Sequence, residues 1–326
     1  MRILISGVSG QVGYHVAKKL LQEGHEVIGI ASLDHKGKVE NLNHFIGTKG
    51  FGFLAKDLNS EFSLLERSVL RGVDIILNIA SESHVDRSIT DPVPFIKNNI
   101  NLTLNMLELS REIKPKLFLQ FSTDESFGVA PEGTNHTEWS PHIPSNPYSA
   151  SKAAQEDIAI SYWRTYGVPV VITNTMNIFS EIQDWEKFIP LCVKKCMLGE
   201  EITIHAYPGA TKAGSRFYIH ADSVAEAVNF IMNKPVGLYP SVDRPDRFNI
   251  VGDKEVDNLT LAKTIGEILG KEIKYQLVDF HSSRPGHDAR YGLDGTKLAE
   301  AGWKPSSHFD DKLKETVLNL KEKLTN

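Results

Sequence analysis

Gly7-Val8-Ser9-Gly10-Gln11-Val12-Gly13 follows the apolar run Ile3-Leu4-Ile5-Ser6 and opens a stretch, Val12 to Gln22, in which Val12, Val16 and Leu20 make one apolar stripe with Ala17 and Leu21 beside it. That order reads as strand, tight turn and amphipathic helix, and a second apolar run, Glu26 to Ala31, closes a βαβ unit. In this setting Gly7 permits the turn, Gly10 lets a diphosphate approach the backbone amides at the helix start, and Gly13 lets helix and strand pack closely. A plain turn with packing glycines is the competing reading, and the complete βαβ context argues against it.

The pattern repeats. Strand-like runs at Gly52 to Leu54, Val73 to Ile79, Lys116 to Ser122 and Val168 to Thr173 alternate with helical stretches at Phe95 to Ile113 and Tyr148 to Tyr166. Near-continuous apolar strands separated by helices predict an α/β fold, a doubly wound parallel sheet (Rossmann-like) covered on both faces. Beyond about residue 176 the chain loosens into stretches bearing Pro190, Pro208-Gly209, Gly214, Pro235 and Pro240, with helices expected around Ser223 to Met232, Leu259 to Leu269 and Asp310 to Lys323. Residues 1–175, with 215–251 returning to them, are therefore expected to form a dinucleotide-binding domain. Residues 176–214 and 252–326 are expected to form a second, smaller mixed α/β substrate domain. A chain of 326 residues suits two such units.

Composition narrows the partners. The net charge of −5, with both signs mixed along the chain, offers no basic field for nucleic acid or an anionic membrane. The hydrophobic fraction of 41% holds no run long enough to span a bilayer, and the chain starts directly on a strand, so a cytoplasmic location is expected. Cys192 and Cys196 are four apart on a helical-looking segment, a spacing that could place two ligands on one face. No paired ligand set follows, so they read as reduced helix residues and no metal is expected.

Two further clusters carry chemistry. Tyr148-Ser149-Ala150-Ser151-Lys152 puts a phenol and an ammonium on one helix face at i and i+4, where the ammonium can hold down the phenol pKa. Asp124-Glu125 follows the run Lys116 to Phe121, hence the carboxyl end of a strand, where open α/β sheets bind ligands. Adjacent carboxyls in a closed site split their pKa values and supply one acid and one base. Asp57-Leu58, after the third strand, is placed to reach an adenine, with a turn or helix cap as the alternative.

The GxxGxxG loop, Ser81-Glu82-Ser83-His84-Val85-Asp86-Arg87-Ser88-Ile89, Ser122-Thr123-Asp124-Glu125-Ser126-Phe127-Gly128, Asn146-Pro147-Tyr148-Ser149-Ala150-Ser151-Lys152 and Arg284-Pro285-Gly286-His287-Asp288-Ala289-Arg290-Tyr291 together resemble the extended short-chain dehydrogenase/reductases. Within them, the Thr-Asp-Glu triplet resembles that of the nucleotide-sugar 4,6-dehydratases. The resemblance implies a lyase that binds NAD and a nucleotide sugar. Its catalytic residues are Thr123, Asp124, Glu125, Tyr148 and Lys152. Its cofactor-binding residues are Gly7, Gly10, Gln11, Val12, Gly13, Asp57, Leu58, Ala80 and Ser122, besides Tyr148 and Lys152. Its substrate-binding residues are Ser83, Asn177, Arg216, Arg284 and His287, with Asn177 and Arg216 near the diphosphate. In the family the helices matching Phe95 to Ile113 and Tyr148 to Tyr166 form a dimeric four-helix bundle, so a homodimer is expected.

The chemistry of the triplet agrees with that resemblance. Oxidation at C4 of a hexose makes C5–H acidic; Glu125 then removes that proton, Asp124 protonates the departing C6 hydroxyl, and hydride returns to C6. A 4-epimerase or 5,6-dehydratase of the same family is the nearest alternative, and a silent sugar-nucleotide or NAD-binding protein the more distant one. Several positions depart from the family pattern. Ala31 stands where an aspartate usually binds the adenosine ribose, with Ser32, Asp34, Lys36 and Lys38 close by, which leaves NADP as an alternative cofactor. Ser180-Glu181 replace Gly-Pro, and Phe217 replaces an acidic residue. The nucleotide and the hexose are left open.

Overall fold

The structure, a computed structural model, describes residues 1–32, 38–234, 243–280 and 289–325. Asp34, Lys36, Pro235, Pro240, Arg284 and His287 therefore lie outside the described residues. The first half runs β1 (Arg2–Ser6), α1 (Gln11–Gln22), β2 (Glu26–Ala31), α2 (Val39–Asn43), β3 (Phe51–Ala55), α3 (Leu64–Leu70), β4 (Ile75–Asn78), α4 (Val85–Thr90), α5 (Pro92–Ile113), β5 (Leu117–Thr123), α6 (Pro147–Tyr166) and β6 (Val170–Thr175). The second half carries β7 (Asn177–Phe179), α7 (Phe188–Leu198), β8 (Glu201–Ala206), β9 (Ser215–His220), α8 (Ala221–Met232), β10 (Asp246–Ile250), β11 (Glu255–Asp257), α9 (Asn258–Leu269), β12 (Lys274–Asp279), α10 (Thr296–Glu300) and α11 (Phe309–Thr325).

Seven parallel strands form one sheet in the order β10-β6-β5-β4-β1-β2-β3. The inner strands β1, β4 and β5 are mostly apolar because both faces are covered, whereas the edge strand β3 is largely exposed and the edge strand β10 carries Asp246, Arg247 and Asn249. Ile3 and Ile5 of β1 point into the cluster that holds Val16, Leu20 and Val228 of α1 and α8, while Leu4 between them meets Met106 and Ala159 of α5 and α6. Each such side chain contributes roughly 1.5–3 kcal/mol by leaving water. The doubly wound expectation holds, and β10, from the second half of the chain, completes the sheet beside β6. Two small sheets, β11-β9-β7 and β12-β8, pack with α7, α9 and α11 around a separate apolar cluster that contains Cys192 and Cys196. Burial among apolar neighbours pushes the Cys192 thiol up, so both cysteines behave as core residues.

Element edges differ from the sequence reading for local reasons. The fourth strand stops at Asn78 instead of Ile79, because the amides of Ile79 and Ala80 turn to the Ser6 hydroxyl, at 2.9 and 3.0 Å, instead of continuing the ladder. The sixth begins at Val170 instead of Val168, after Pro169, which has no N–H to offer a ladder. Helix α6 starts where Asn146 accepts a hydrogen bond from the Ser149 amide at 2.9 Å, with Pro147 in the first turn, and ends at Gly167, whose φ of 67° only glycine adopts freely.

Candidate active site

The strand order reverses direction between β1 and β4, and the crevice at their carboxyl ends is a cleft of about 580 Å³. The Gly7 turn forms its floor. Gly7 has a φ of 71° and Gly13 has no room for a side chain, since a Cβ there would sit 2.2 Å from the Gly7 carbonyl oxygen. Gln11 Nε2 is buried against this cleft with no partner among the described residues. Glycines that keep the wall flat beside an unmatched amide donor at a helix start fit the diphosphate of a dinucleotide. Asp57, Leu58, Ala80 and Ser122 line the same cleft, as do Gly10, Val12 and Ser83. Asp57 also acts as a turn residue, accepting from the Asn59 amide at 2.9 Å.

Thr123, Asp124, Glu125, Tyr148 and Lys152 converge on the opposite wall. Asp124 is buried; desolvation and the Glu125 charge push its carboxyl up to about 7, against the pull of its Thr123 hydrogen bond and of Arg216. Thr123 Oγ1 donates to Asp124 Oδ1 at 2.9 Å. Glu125 stays in contact with two polar groups, Asn146 Nδ2 and the Tyr291 hydroxyl, each 3.4 Å from Oε2.

One expectation is corrected. Lys152 does not hold down the Tyr148 phenol in this arrangement. Its Nζ donates to the Phe121 carbonyl at 2.7 Å, and burial lowers its own pKa to about 8 despite the Glu156 charge one turn away. Burial and the Glu125 and Asp124 charges push the phenol up, and only its hydrogen bond to Thr123 opposes them. The i, i+4 spacing was right about the shared face, but it could not show that a main-chain carbonyl would take the ammonium.

The remaining sequence candidates divide. Asn177 lines the cleft, with its Oδ1 buried and unpartnered among the described residues. Arg216 is buried on β9 behind the cleft lining, with Nη1 on the carbonyls of Ser215 and Ala289 at 2.7 and 2.8 Å and its guanidinium 4.6 Å from the Tyr291 ring. His84 caps α4 and meets Glu186 at 3.0 Å, a structural role. Sequence reasoning missed a buried group behind the triplet. Glu156, one turn after Lys152, takes hydrogen bonds from Ser122 and from Asn174 Nδ2 (2.9 Å), meets His142 Nε2 at 3.2 Å, and lies 2.5 Å from Arg247 Nη2. Burial pushes its carboxyl up, yet Arg247, His142 and Ser122 outweigh that and hold it at about 2. Its helical position on the Tyr148–Lys152 face was the one available signal.

Comparison with known proteins gives a consistent result. The family model for GDP-mannose 4,6-dehydratase matches residues 4–316. A probable dTDP-glucose 4,6-dehydratase from Sinorhizobium fredii is 33% identical over 97% of this chain and 92% of its own length. Among solved structures, dTDP-glucose 4,6-dehydratase from Streptomyces venezuelae with NAD bound superposes with a TM-score of 0.88 at 32% identity, covering 99% of this chain and 97% of that one. UDP-glucose 4-epimerase from Thermus thermophilus, in complex with NAD, superposes with a TM-score of 0.86 at 26% identity over 98% and 99% of the two chains. The chain thus belongs to the GDP-mannose 4,6-dehydratase family, the nucleotide-hexose 4,6-dehydratases among the extended short-chain dehydrogenase/reductases.

Proposed function

We propose that this enzyme converts a nucleoside-diphosphate hexose of the glucose type to the 4-keto-6-deoxy sugar in the cleft at the sheet's carboxyl edge. A bound nicotinamide dinucleotide, NAD by likeness to the dehydratase relatives, would supply the hydride acceptor and, when oxidised, a positive charge that favours the phenolate. Gly7, Gly10, Gln11, Val12 and Gly13 hold its diphosphate, Asp57 and Leu58 its adenine end, and Ala80, Ser122, Tyr148 and Lys152 the reacting end. Tyr148 takes the C4 hydroxyl proton, with Thr123 bonded to the phenol and Lys152 fixing the wall behind it. Glu125 removes the C5 proton once C4 is a ketone. Asp124 then gives its proton to the C6 hydroxyl as water leaves.

The observation that carries this reading is Asp124, a buried carboxyl held to about 7 next to a second carboxylate. An acid poised at neutral pH is required to expel hydroxide and has no task in a simple epimerisation at C4. Ser83, Asn177 and Arg216 are proposed to hold the sugar diphosphate, with Arg284 and His287 closing over the nucleotide. The dinucleotide unit is proposed to comprise 1–175 and 215–251, because β10 and α8 pack with the large sheet, and the substrate unit to comprise 176–214 and 252–326. The helices α5 and α6 are proposed as the seam of a homodimer, and Val93 and Ile96 stand exposed on α5. No described helix is long and apolar enough to cross a membrane, and a cytoplasmic site of action is proposed.

The test is a panel of dTDP-, UDP-, GDP- and CDP-hexoses read by mass loss of one water. One accepted nucleotide sugar losing water supports the reading; interconversion at C4 without mass change makes the enzyme an epimerase, and no turnover makes it a silent binder. Light scattering that gave a monomer mass at micromolar concentration would remove the dimer.

A further inference from the structure

The wall behind the Thr123-Asp124-Glu125 triplet is ionic. Glu156 and Arg247 are fully buried, face each other at 2.5 Å, and sit among Ser122, Asn174 and His142. Arg247 rises from β10 and is held by the Glu138 carbonyl at 2.8 Å and by the Trp139 ring, 4.4 Å from its guanidinium carbon. His142, from the segment before α6, joins Glu156 to Asp157 at 3.4 Å. A buried ion pair of this kind is seldom more stabilising than apolar residues of the same volume. Its placement calls for another reason.

That reason lies in the bonds leaving Glu156. Oε1 takes the Ser122 hydroxyl and one proton of the Asn174 amide, and the same Asn174 Nδ2 reaches the Thr123 carbonyl at 3.0 Å. Both bonds grip the last two residues of β5. Thr123 in turn bonds the Tyr148 phenol and Asp124 Oδ1. We infer that Glu156, clamped by Arg247, is a positioning residue that acts through Ser122 and Asn174 to set the end of β5, and with it the Thr123 hydroxyl between base and acid. The carboxylate is fully buried and does not line the cleft. It supplies two acceptor sites that fix a strand end at the point where β5 gives way to the turn Asp124–Phe127. A misplacement of about 1 Å at such a point can cost on the order of 100-fold in rate.

This inference rests on the dehydratase reading for the roles of Thr123 and Asp124. Its test uses the full-length enzyme with bound cofactor. Replacing Glu156 alone would strand Arg247, so the first variant is Glu156→Leu with Arg247→Met, which removes both charges and the acceptor oxygens that hold Ser122 and Asn174. The second is Asn174→Ala, which leaves the ion pair and cuts the link to the Thr123 carbonyl. Each is compared with wild type for melting temperature, bound dinucleotide, KM and kcat. The expected result is a folded, cofactor-loaded double variant with KM within about threefold of wild type and kcat lower by roughly 30-fold or more, and Asn174→Ala with kcat lower by about 10-fold at unchanged KM.

A role confined to stability would lower the melting temperature and leave kcat untouched below it. Wild-type kcat in a folded double variant, or in Asn174→Ala, overturns the inference; if the double variant does not fold, Asn174→Ala decides alone. The wild-type reaction is assayed alongside. Should it prove to be epimerisation, the dehydratase reading fails, while the kcat ratios still judge Glu156, because Thr123 and Tyr148 serve C4 oxidation in both reactions.

Discussion

Thr123 Oγ1 bonds one oxygen of Asp124, Oδ1, at 2.9 Å and leaves the other, Oδ2, buried without a partner among the described residues. A carboxyl satisfied on one side and bare on the other, in a dry site beside Glu125, keeps its proton on the bare oxygen. That oxygen belongs to a residue lining the cleft, where a leaving hydroxyl can collect the proton. The acid and the base are thus distinguished by burial, although they are neighbours in the chain.

Asp124→Asn keeps the shape and removes the acid, so water loss should slow by about 10²–10⁴-fold while the C5 hydrogen still exchanges with solvent deuterium. Glu125→Gln should instead stop before C5, leaving reduced nicotinamide trapped on the enzyme and no exchange. Absorbance of the bound cofactor and mass spectrometry of recovered sugar separate the two. Wild-type dehydration by both variants would mean that the roles are wrongly assigned.

The same carboxyl sets a pH dependence. Its value rises from 3.8 to about 7 on folding, so its contribution to stability is complete below 3.8 and is lost as pH rises through about 7. Turnover should fall over the same upper range, as the acid loses its proton. Asn at this position escapes the penalty, and Asp124→Asn should melt above wild type at pH 8 by the equivalent of roughly 1–3 kcal/mol, with the gap closing near pH 4. Equal melting curves at both pH values would count against a buried, neutral acid.

Glu181, which stands where the family has a proline, contacts two histidines: His220 at 3.7 Å and the buried His15 at 4.0 Å. Burial pushes its carboxyl up, but the His220 hydrogen bond, its own amide and the charges of His15 and His220 hold it at about 2. A depressed carboxylate contributes above 4.5 and is lost as pH falls through about 2. Glu181→Gln should therefore cost on the order of 1 kcal/mol at pH 7, less at pH 3, as chemical denaturation at the two pH values would report. A cost that does not change with pH would argue against the charge.

Gly13→Ala would place a Cβ 2.2 Å from the Gly7 carbonyl oxygen and 2.8 Å from Val8 Cα, both backbone atoms that cannot step aside. The loop must open or α1 must shift, at an expected cost of 1–3 kcal/mol, the range for overpacking. Purified Gly13→Ala should carry little or no dinucleotide. Full cofactor occupancy would show that the loop tolerates a side chain and weaken its role as the diphosphate cradle.

Ala31 lines the cleft where an acidic ribose clamp would stand, and Ser32 is its immediate neighbour there. Lys38 is turned away to the Ile182 carbonyl at 3.4 Å and to Asp184 at 3.6 Å, so it is poorly placed to attract a 2′-phosphate. NAD should be recovered when the purified protein is denatured, with modest discrimination against NADP, since one charge-assisted hydrogen bond is worth roughly 1.5–3 kcal/mol. Ala31→Asp should sharpen the preference several-fold. Recovery of NADP alone would overturn the assignment.

The glycine loop and the Tyr148-to-Lys152 spacing were readable because both are local. Backbone sterics dictate where only glycine fits, and helical periodicity dictates that residues four apart share a face. The triplet was readable for a related reason, since a run of seven buried residues, Leu117 to Thr123, must be an inner strand, and its end must face the crevice. Six strands of the sheet were readable as apolar runs, whereas β10, Asp246–Ile250, carries Asp246, Arg247 and Asn249 and offered no such run.

What needed the tertiary structure is the set of interactions between segments far apart in the chain. Arg247 meets Glu156 only because β10 crosses back to lie beside β6, pairing Asp246 with Val171, 75 residues apart in sequence, which no local pattern encodes. The same holds for the charge states. The Asp124 value near 7 comes from the water excluded around it, and the loss of the Lys152 ammonium to the Phe121 carbonyl comes from a 2.7 Å approach between α6 and β5. Residue types and spacing determine which groups are present and which face they share; protonation and orientation follow from desolvation and from the partners that folding brings near, and these exist only once the chain has closed on itself.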